Sequence, residues 1–368
     1  MLKSASADGA SVRFAGAGTK DWGRPSSPDL VVSSLELDSI VEHNAGDLTA
    51  VLEPGVRLAD AQARFAEKDQ MLVLDPPLGQ DDAATIGGIV AAGDTGPLRG
   101  RYGGGRDLVV GMTVALSDGT IARTGSHVIK NVAGYDLAKL FAGSLGTLGM
   151  ILELTVRLHP RPERTATALG RTGDPERLGR AAMATSHAPL EHEGIDVRYA
   201  DGEGMVLARF GGAAPVPQAE SAERVMAEAG LDTELIDDAD DELWQAQRDG
   251  QSAASGTVVK VSGLQTELPR IAACAARLEA PLVGRAGLGL YWLRIEGRSP
   301  KDAAATVDWL RGELSPAPCV VLDAPAEVRD LVDPWGAAEG TALDLMRRVK
   351  ERFDPAGSCN PGVFVGGI

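Results

Sequence analysis

The chain has 368 residues, of which 44% are apolar, 24% charged and only 4% aromatic, the composition of a soluble globular protein long enough to build two cores. Its net charge of −16 disfavours a nucleic-acid partner, because phosphate contacts need clustered Lys and Arg. The three cysteines, Cys274, Cys319 and Cys359, are far apart and form no CxxC pair, which argues against a structural zinc site or an iron–sulfur cluster.

The opening MLKSASADGASVRF lacks the charged and apolar halves of a signal peptide, and no run approaches the ~20 apolar residues of a membrane span. A cytoplasmic location is expected. Ala10–Phe14 reads as a strand and runs into AGAGTKDWG. The Gly16-x-Gly18 spacing suggests a dinucleotide fingerprint, but the third glycine is missing and Arg24–Pro28 forbids the helix that should follow. What survives is a strand and a glycine turn whose backbone N–H groups can form a nest for an anion such as a pyrophosphate. Short strands are expected at Leu30–Val32 and Leu35–Leu37, then a strand Thr49–Glu53, a Pro54-Gly55 turn, a helix Leu58–Lys68 and a strand Met71–Leu74.

From Asp75 to Pro160 the pattern changes. Between positions 79 and 149 glycine is about twice as dense as in the chain at large, and its spacing is uneven, so the stretch is neither linker nor repeat. Strand-like runs alternate with these glycines, and glycine is useful where backbone must take positive φ or approach a ligand closely. Thr85-Gly88 reads as a turn into a short helix, Ile89–Ala92. Arg99–Arg106 reads as a loop, Asp107–Leu116 and Thr120–Thr124 as a hairpin, Asp136–Ala142 as one or two helical turns, and Ile151–Leu158 as a strand.

The ordered segments AGAGT, EPGVRLADA, TIGG, RYGGGRDLVVGMTVALSDGT and KNVAGYDLAKLFAGSLGTLGMILELTVRLHP resemble the FAD-binding domain of the vanillyl-alcohol-oxidase/PCMH flavoprotein superfamily. The closing FDPAGSCNPGVF is similar to that family's final segment. Within the superfamily the resemblance is strongest to the FAD-binding E subunit of bacterial glycolate oxidase. It implies an α+β fold: a two-subdomain PCMH-type FAD domain over 1–160, a ferredoxin-like substrate or cap domain over 161–340, and a helix and tail, 341–368, that return to the FAD domain. The start is shorter than the family's and reads as truncated or as lacking an edge element.

Carried over by position, the resemblance puts the FAD pyrophosphate on Ala15, Gly16, Ala17, Gly18 and Thr19, with Pro77, Thr85, Gly87 and Gly88 approaching from the other side. Tyr102 and Gly103 would pass near the flavin, and Gly134, Tyr135 and Asp136 would line its edge. Gly143, Ser144, Gly146, Thr147 and Ile151 would face the adenine half. Relatives that bind flavin covalently carry a histidine in the first glycine loop; here Thr19 and Lys20 stand there, so non-covalent FAD is expected.

Beyond Pro162 alternating strands and helices, from Ile195–Ala200 to Cys319–Leu322, suit two ferredoxin-like halves, and Leu343–Phe353 reads as an amphipathic helix. Catalytic residues are less legible. A 2-hydroxy acid needs a cation for its carboxylate and a base for its hydroxyl. Lys130, Arg101 and Arg248 are the weak candidates. Arg248 lies one turn from Trp244, and surface charge is the plainer role for Arg101 and Lys130. His127, at a hairpin end, and the loop residues His187 and His192 read more simply as solvated. The family's Gly-Asp-Gly-Asn…His metal motif is absent, so no metal is expected. Three readings stay open. One is an FAD subunit of a glycolate-oxidase-type complex, beside a catalytic flavin subunit and an iron–sulfur subunit, with peripheral membrane association through that complex. Another is a self-sufficient FAD oxidoreductase on another alcohol or hydroxy acid. The last is a structural subunit without flavin, against which the intact glycine loops argue.

Overall fold

The computed structural model describes residues 1–24, 26–125, 136–237, 240–337 and 340–368. The chain divides into two units. The first comprises Met1–Thr95, Gly103–Arg161 and Ala337–Ile368; the second comprises Gly96–Tyr102 and Pro162–Gly336.

In the first unit a short helix α1 (Leu2–Ala7) precedes β1 (Val12–Ala15), which pairs in parallel with β2 (Leu30–Ser33). β3 (Ile40–Asn44) and β4 (Thr49–Leu52) begin an antiparallel sheet. Helix α2 (Leu58–Ala66) follows and buries Leu58, Ala61 and Phe65 on one face, as their spacing dictates. Each such side chain contributes roughly 1.5–3 kcal/mol when fully buried, Ala61 less. A two-residue strand β5 (Gln70–Met71) leads on to α3 (Ile86–Ala92), then β6 (Val109–Ala115), β7 (Ile121–Gly125) and β8 (Met150–Arg157). The sheet order is β3-β4-β8-β6-β7, and β5 pairs with β9 (His159–Pro160). A C-terminal helix, Thr341–Phe353, completes the unit.

Three expected elements differ. Leu35–Leu37 is a turn, not a strand, closed by Leu37 N–H donating to the Ser34 carbonyl at 3.0 Å. Leu72–Leu74 does not extend β5. The Gln62 side chain takes the place of a strand partner, accepting from Leu72 N–H at 3.1 Å and donating to its carbonyl at 2.5 Å. Arg99–Arg106 is not a loop: helical turns at Arg99–Tyr102 and Gly105–Leu108 are broken by Gly103, whose φ of +83° admits glycine readily.

The second unit is an eight-stranded antiparallel sheet. Its elements run β10 (Thr165–Thr172), α4 (Pro175–His187), β11 (Gly194–Ala200), β12 (Glu203–Gly211), α5 (Pro215–Glu228) and β13 (Asp232–Asp237). After α6 (Asp241–Asp249) the same sequence returns as β14 (Thr257–Ser262), α7 (Leu268–Leu278), β15 (Leu282–Arg285), β16 (Leu290–Ile295), α8 (Pro300–Glu313) and β17 (Cys319–Val321). The strand order is β13-β10-β12-β11-β15-β16-β14-β17. Each half is a βαββαβ ferredoxin-like repeat. The halves join edge to edge where Val197–Tyr199 pair with Leu282–Gly284. One face carries the main core, with Leu178 of α4, Met226 of α5, Ile271 of α7 and Leu310 of α8 packed on Val197, Val206, Val259 and Leu293. On the other face Trp244 packs on Leu169 and Leu207.

Candidate cofactor site

Beyond Ala15 the chain turns sharply. Gly18 takes φ +75°, and a Cβ there would meet nothing within 4 Å. The turn from Gly16 to Thr19 lines a cleft of about 700 Å³, counted to its open mouth. Thr85, Gly88 and Ala91 are also in its wall, with Leu145 and Asn360. A second cleft of about 460 Å³ shares Phe14, Gly16, Gly88, Leu145 and Asn360 with the first and adds Gly87, Ser144, Gly146 and Ile151. The two form one groove.

The N–H groups of Gly16, Ala17, Gly18 and Thr19 donate to no described residue. Consecutive unspent donors on a glycine turn are what an oxyanion needs. The nearby cationic side chains are already engaged. Arg13 pairs with Asp21. Lys20 Nζ lies 2.6 Å from the Pro77 carbonyl and 2.8 Å from Asp94 Oδ2, the latter an ion pair by distance rather than by hydrogen-bond geometry. The groove thus offers an oxyanion consecutive backbone donors, with Arg24 also in its wall. That donor set fits a pyrophosphate, and the groove's second arm gives the rest of a dinucleotide a place.

Helix α3 contributes surface and no donors. Its first N–H groups are spent: Ile86 on Val56 O at 2.9 Å, Gly87 on Pro54 O at 2.9 Å, and Gly88 on the N-cap Thr85 Oγ1 at 3.3 Å. Gly87 is small because a Cβ would stand 2.5 Å from Pro54 Cβ and 2.8 Å from its carbonyl oxygen. Packing thus accounts for this glycine, where the sequence reading gave it to the ligand. The strap that follows Phe141 is tied to the end of α3 by Gly143 N–H to Val90 O at 2.9 Å and Leu145 N–H to Ala91 O at 2.8 Å. Thr147 supports the strap from behind: its hydroxyl donates to Ser144 O, and its own carbonyl accepts from Lys350 Nζ at 2.7 Å.

Asn360 was given no role by the sequence reading, yet it joins the groove's parts. Its Oδ1 accepts from Phe14 N–H at 2.8 Å and its Nδ2 donates to Leu145 O at 2.6 Å. Its φ of +40° is one that Asn tolerates better than most residues. Behind it the buried Asp354 accepts from Cys359 N–H at 2.8 Å and from Lys350 Nζ at 2.6 Å. Burial alone would raise the Asp354 pKa, but the bonds from Lys350 and Cys359 outweigh it and hold it below the usual value. The available signal was the Ser-Cys-Asn-Pro-Gly run after an amphipathic helix.

The groove gathers Ala15–Thr19, Thr85, Gly87, Gly88, Ser144, Gly146 and Ile151 from the expected set. Pro77, Gly143 and Thr147 support it. Asp136 is exposed and pairs with Lys139 at 2.9 Å. Lys130, Gly134, Tyr135 and His127 lie outside the described residues. Gly103 lies between two helical turns, where a Cβ would meet Asp107 Cβ at 2.6 Å.

Other expected residues belong to the second unit. Tyr102 donates its hydroxyl to Glu193 Oε1 at 3.1 Å. Burial, then the Glu193 charge, pushes its pKa up to about 12, and burial also raises Glu193. Arg101 is exposed and pairs with Glu191 at 3.4 Å. Trp244 is core, its Nε1–H on Thr167 Oγ1 at 2.9 Å, and Arg248 on the same helix is half-buried. His187 is exposed, as expected, but it ends α4 with Nδ1 2.9 Å from Met183 O, and half-buried His192 has its pKa lowered by burial and Arg101.

An FAD binding domain family matches residues 1–125. An uncharacterized FAD-linked oxidoreductase of Mycobacterium tuberculosis is 27% identical over 421 aligned positions, covering 100% of this chain and 88% of its own. A glycolate oxidase subunit of Escherichia coli is 39% identical over 123 residues, 33% of this chain and 35% of the subunit. Among solved structures an alkyldihydroxyacetonephosphate synthase superposes with a TM-score of 0.69 at 14% identity, over 98% of this chain and 74% of that one. These likenesses support an FAD-dependent oxidoreductase as the coarse class. The fold is the PCMH-type FAD-binding fold, and its cofactor is FAD.

Proposed function

We propose that the chain is an FAD-dependent oxidoreductase of the glycolate-oxidase type, binding FAD non-covalently and taking electrons from a small 2-hydroxy acid such as glycolate. The unspent N–H groups of Gly16–Thr19 in a groove walled by α3 are the observation that carries the FAD part of this reading. Bound FAD supplies a hydride acceptor. The chain's own residues hold it: the turn receives the pyrophosphate, Thr85 and Gly88 bound the groove, and the strap at Ser144–Gly146 and Asn360 closes its other arm. The glycolate part is supported by the likeness to the Escherichia coli glycolate oxidase subunit over 33% of this chain. In that setting the chain works beside a catalytic flavin subunit and an iron–sulfur subunit.

A second reading is a self-sufficient oxidoreductase on another alcohol or hydroxy acid. It is favoured by the end-to-end match to the Mycobacterium tuberculosis oxidoreductase, where the glycolate oxidase match is partial. One experiment separates them. The FAD-loaded chain is mixed anaerobically with glycolate, then with a panel of 2-hydroxy acids, and the flavin absorbance is followed. Bleaching only after glycolate and partner subunits are both present supports the complex. Bleaching of the isolated chain by another acid supports self-sufficiency. A chain that keeps its flavin through acid precipitation, as a coloured pellet, defeats the non-covalent claim.

A further inference from the structure

We propose that the buried Lys20–Asp94 pair is a positioning device for FAD: it fixes the Gly16–Thr19 turn in its binding shape before the cofactor arrives. The turn cannot hold that shape through its own donors, since the N–H groups of its four residues are unspent. It is held by what flanks it. Arg13 and Asp21 pair across it, but their side chains are 32% and 53% exposed, and a pair in that much water is worth little. Directly after it comes Lys20, whose side chain and that of Asp94 are each only 6% exposed.

Lys20 reaches two separate segments at once. Its ammonium donates to Pro77 O at 2.6 Å and sits 2.8 Å from Asp94 Oδ2. Asp94 is itself fixed. Its N–H donates to Ile89 O at 3.1 Å, its Oδ1 accepts from Thr95 N–H at 2.9 Å, and Gly93 before it caps α3 in the left-handed conformation. The turn is thereby tied to the end of the helix that walls the same groove. Lys20 is a positioning residue: its charge is spent on Asp94, and the cofactor is received by the backbone it steadies. Preorganisation of this kind shows in affinity, because an unfixed turn must be ordered when the ligand binds.

The test uses the full chain stripped of flavin and titrated with FAD by fluorescence quenching, with thermal unfolding of each apoprotein alongside. Lys20→Met leaves Asp94 buried and uncompensated, so it is expected to lower the unfolding temperature and raise the FAD Kd at least about tenfold. The Lys20→Met/Asp94→Leu double variant removes both charges. It is expected to recover the unfolding temperature while keeping the weakened Kd, since the tether is still missing. Asp94→Asn, uncharged and of equal size, leaves the buried Lys20 ammonium uncompensated, so it is expected to lower the unfolding temperature as well as to raise Kd about threefold or more. A double variant or an Asp94→Asn variant with wild-type affinity would overturn the proposal, because the pair would then serve stability alone. The inference rests on FAD as the cofactor; a wild-type apoprotein that takes up no FAD at all would defeat that reading, and the proposal with it.

Discussion

The groove of the first unit and the Trp244 face of the second unit's sheet solve opposite problems. Around Asp240 on that face polar side chains bond to one another. Asp240, 2% exposed, accepts from Thr167 Oγ1 at 2.7 Å, Thr165 Oγ1 at 3.0 Å and Arg209 at 3.0 Å, while Trp244 donates to Thr167. In the groove the backbone is left with donors to spare, and the side-chain charges around it are committed to holding the frame. A network of side chains bonded to one another helps specify a fold. A surface with unspent donors is fit to take a ligand.

The largest effect that tests this contrast is expected from Asp240→Ala. It removes the acceptor of two hydroxyls and one of the two carboxylates that the partly buried Arg209 reaches, and should cost about 3 kcal/mol in denaturant unfolding, with the FAD Kd of the folded protein unchanged. A loss of FAD affinity matching the loss of stability would break the division of labour. Gly87→Val places methyl groups against Pro54 and should cost about 2 kcal/mol; FAD retention should fall because α3 is displaced, and circular dichroism should show most secondary structure kept. Gly18→Ala meets open space but must hold φ +75°, a strain of about 1 kcal/mol. Its expected signature is a FAD Kd raised about fivefold with little change in unfolding temperature.

The last test is of pH dependence, where the two regions differ in sign. Asp354, behind the groove, is held below its ordinary 3.8, so its contribution is present above that value and is lost as pH falls through the lower folded pKa. Asp196 on β11 is the reverse. Burial raises it from 3.8 to about 6 against the opposing Arg285 and Gln247. Its contribution is full below 3.8 and is lost as pH rises through about 6. Stability measured across that interval should therefore fall with rising pH in the wild type, and Asp196→Asn should flatten that slope.

The first unit was largely legible because its devices leave local marks. Positive φ demands glycine at Gly18, Gly93 and Gly146, and the order of those turns is written in the chain. The hairpin of β6 and β7 announced itself through Asp118-Gly119. The second unit gave less. The run TATALGRT of β10 was missed because its buried face is alanine: Ala166 and Ala168 are fully buried without being strongly apolar. The helix Pro175–His187 escaped despite its Asp174 N-cap and Pro175 at its first turn. Lys20 with Asp94, and Phe14 with Asn360, meet only in three dimensions, and no local pattern links residues so far apart in the chain.

Asn360 also bears on how the protein is made. Ribosomes deliver a chain from its N-terminus, so the glycine turn emerges long before the residue that joins it to the strap. Until Asn360 has been added, Phe14 N–H and Leu145 O lack the side chain that bridges them. The two arms of the groove are joined only then, and a nascent chain that stops short of Asn360 carries the glycine turn without its tie to the strap.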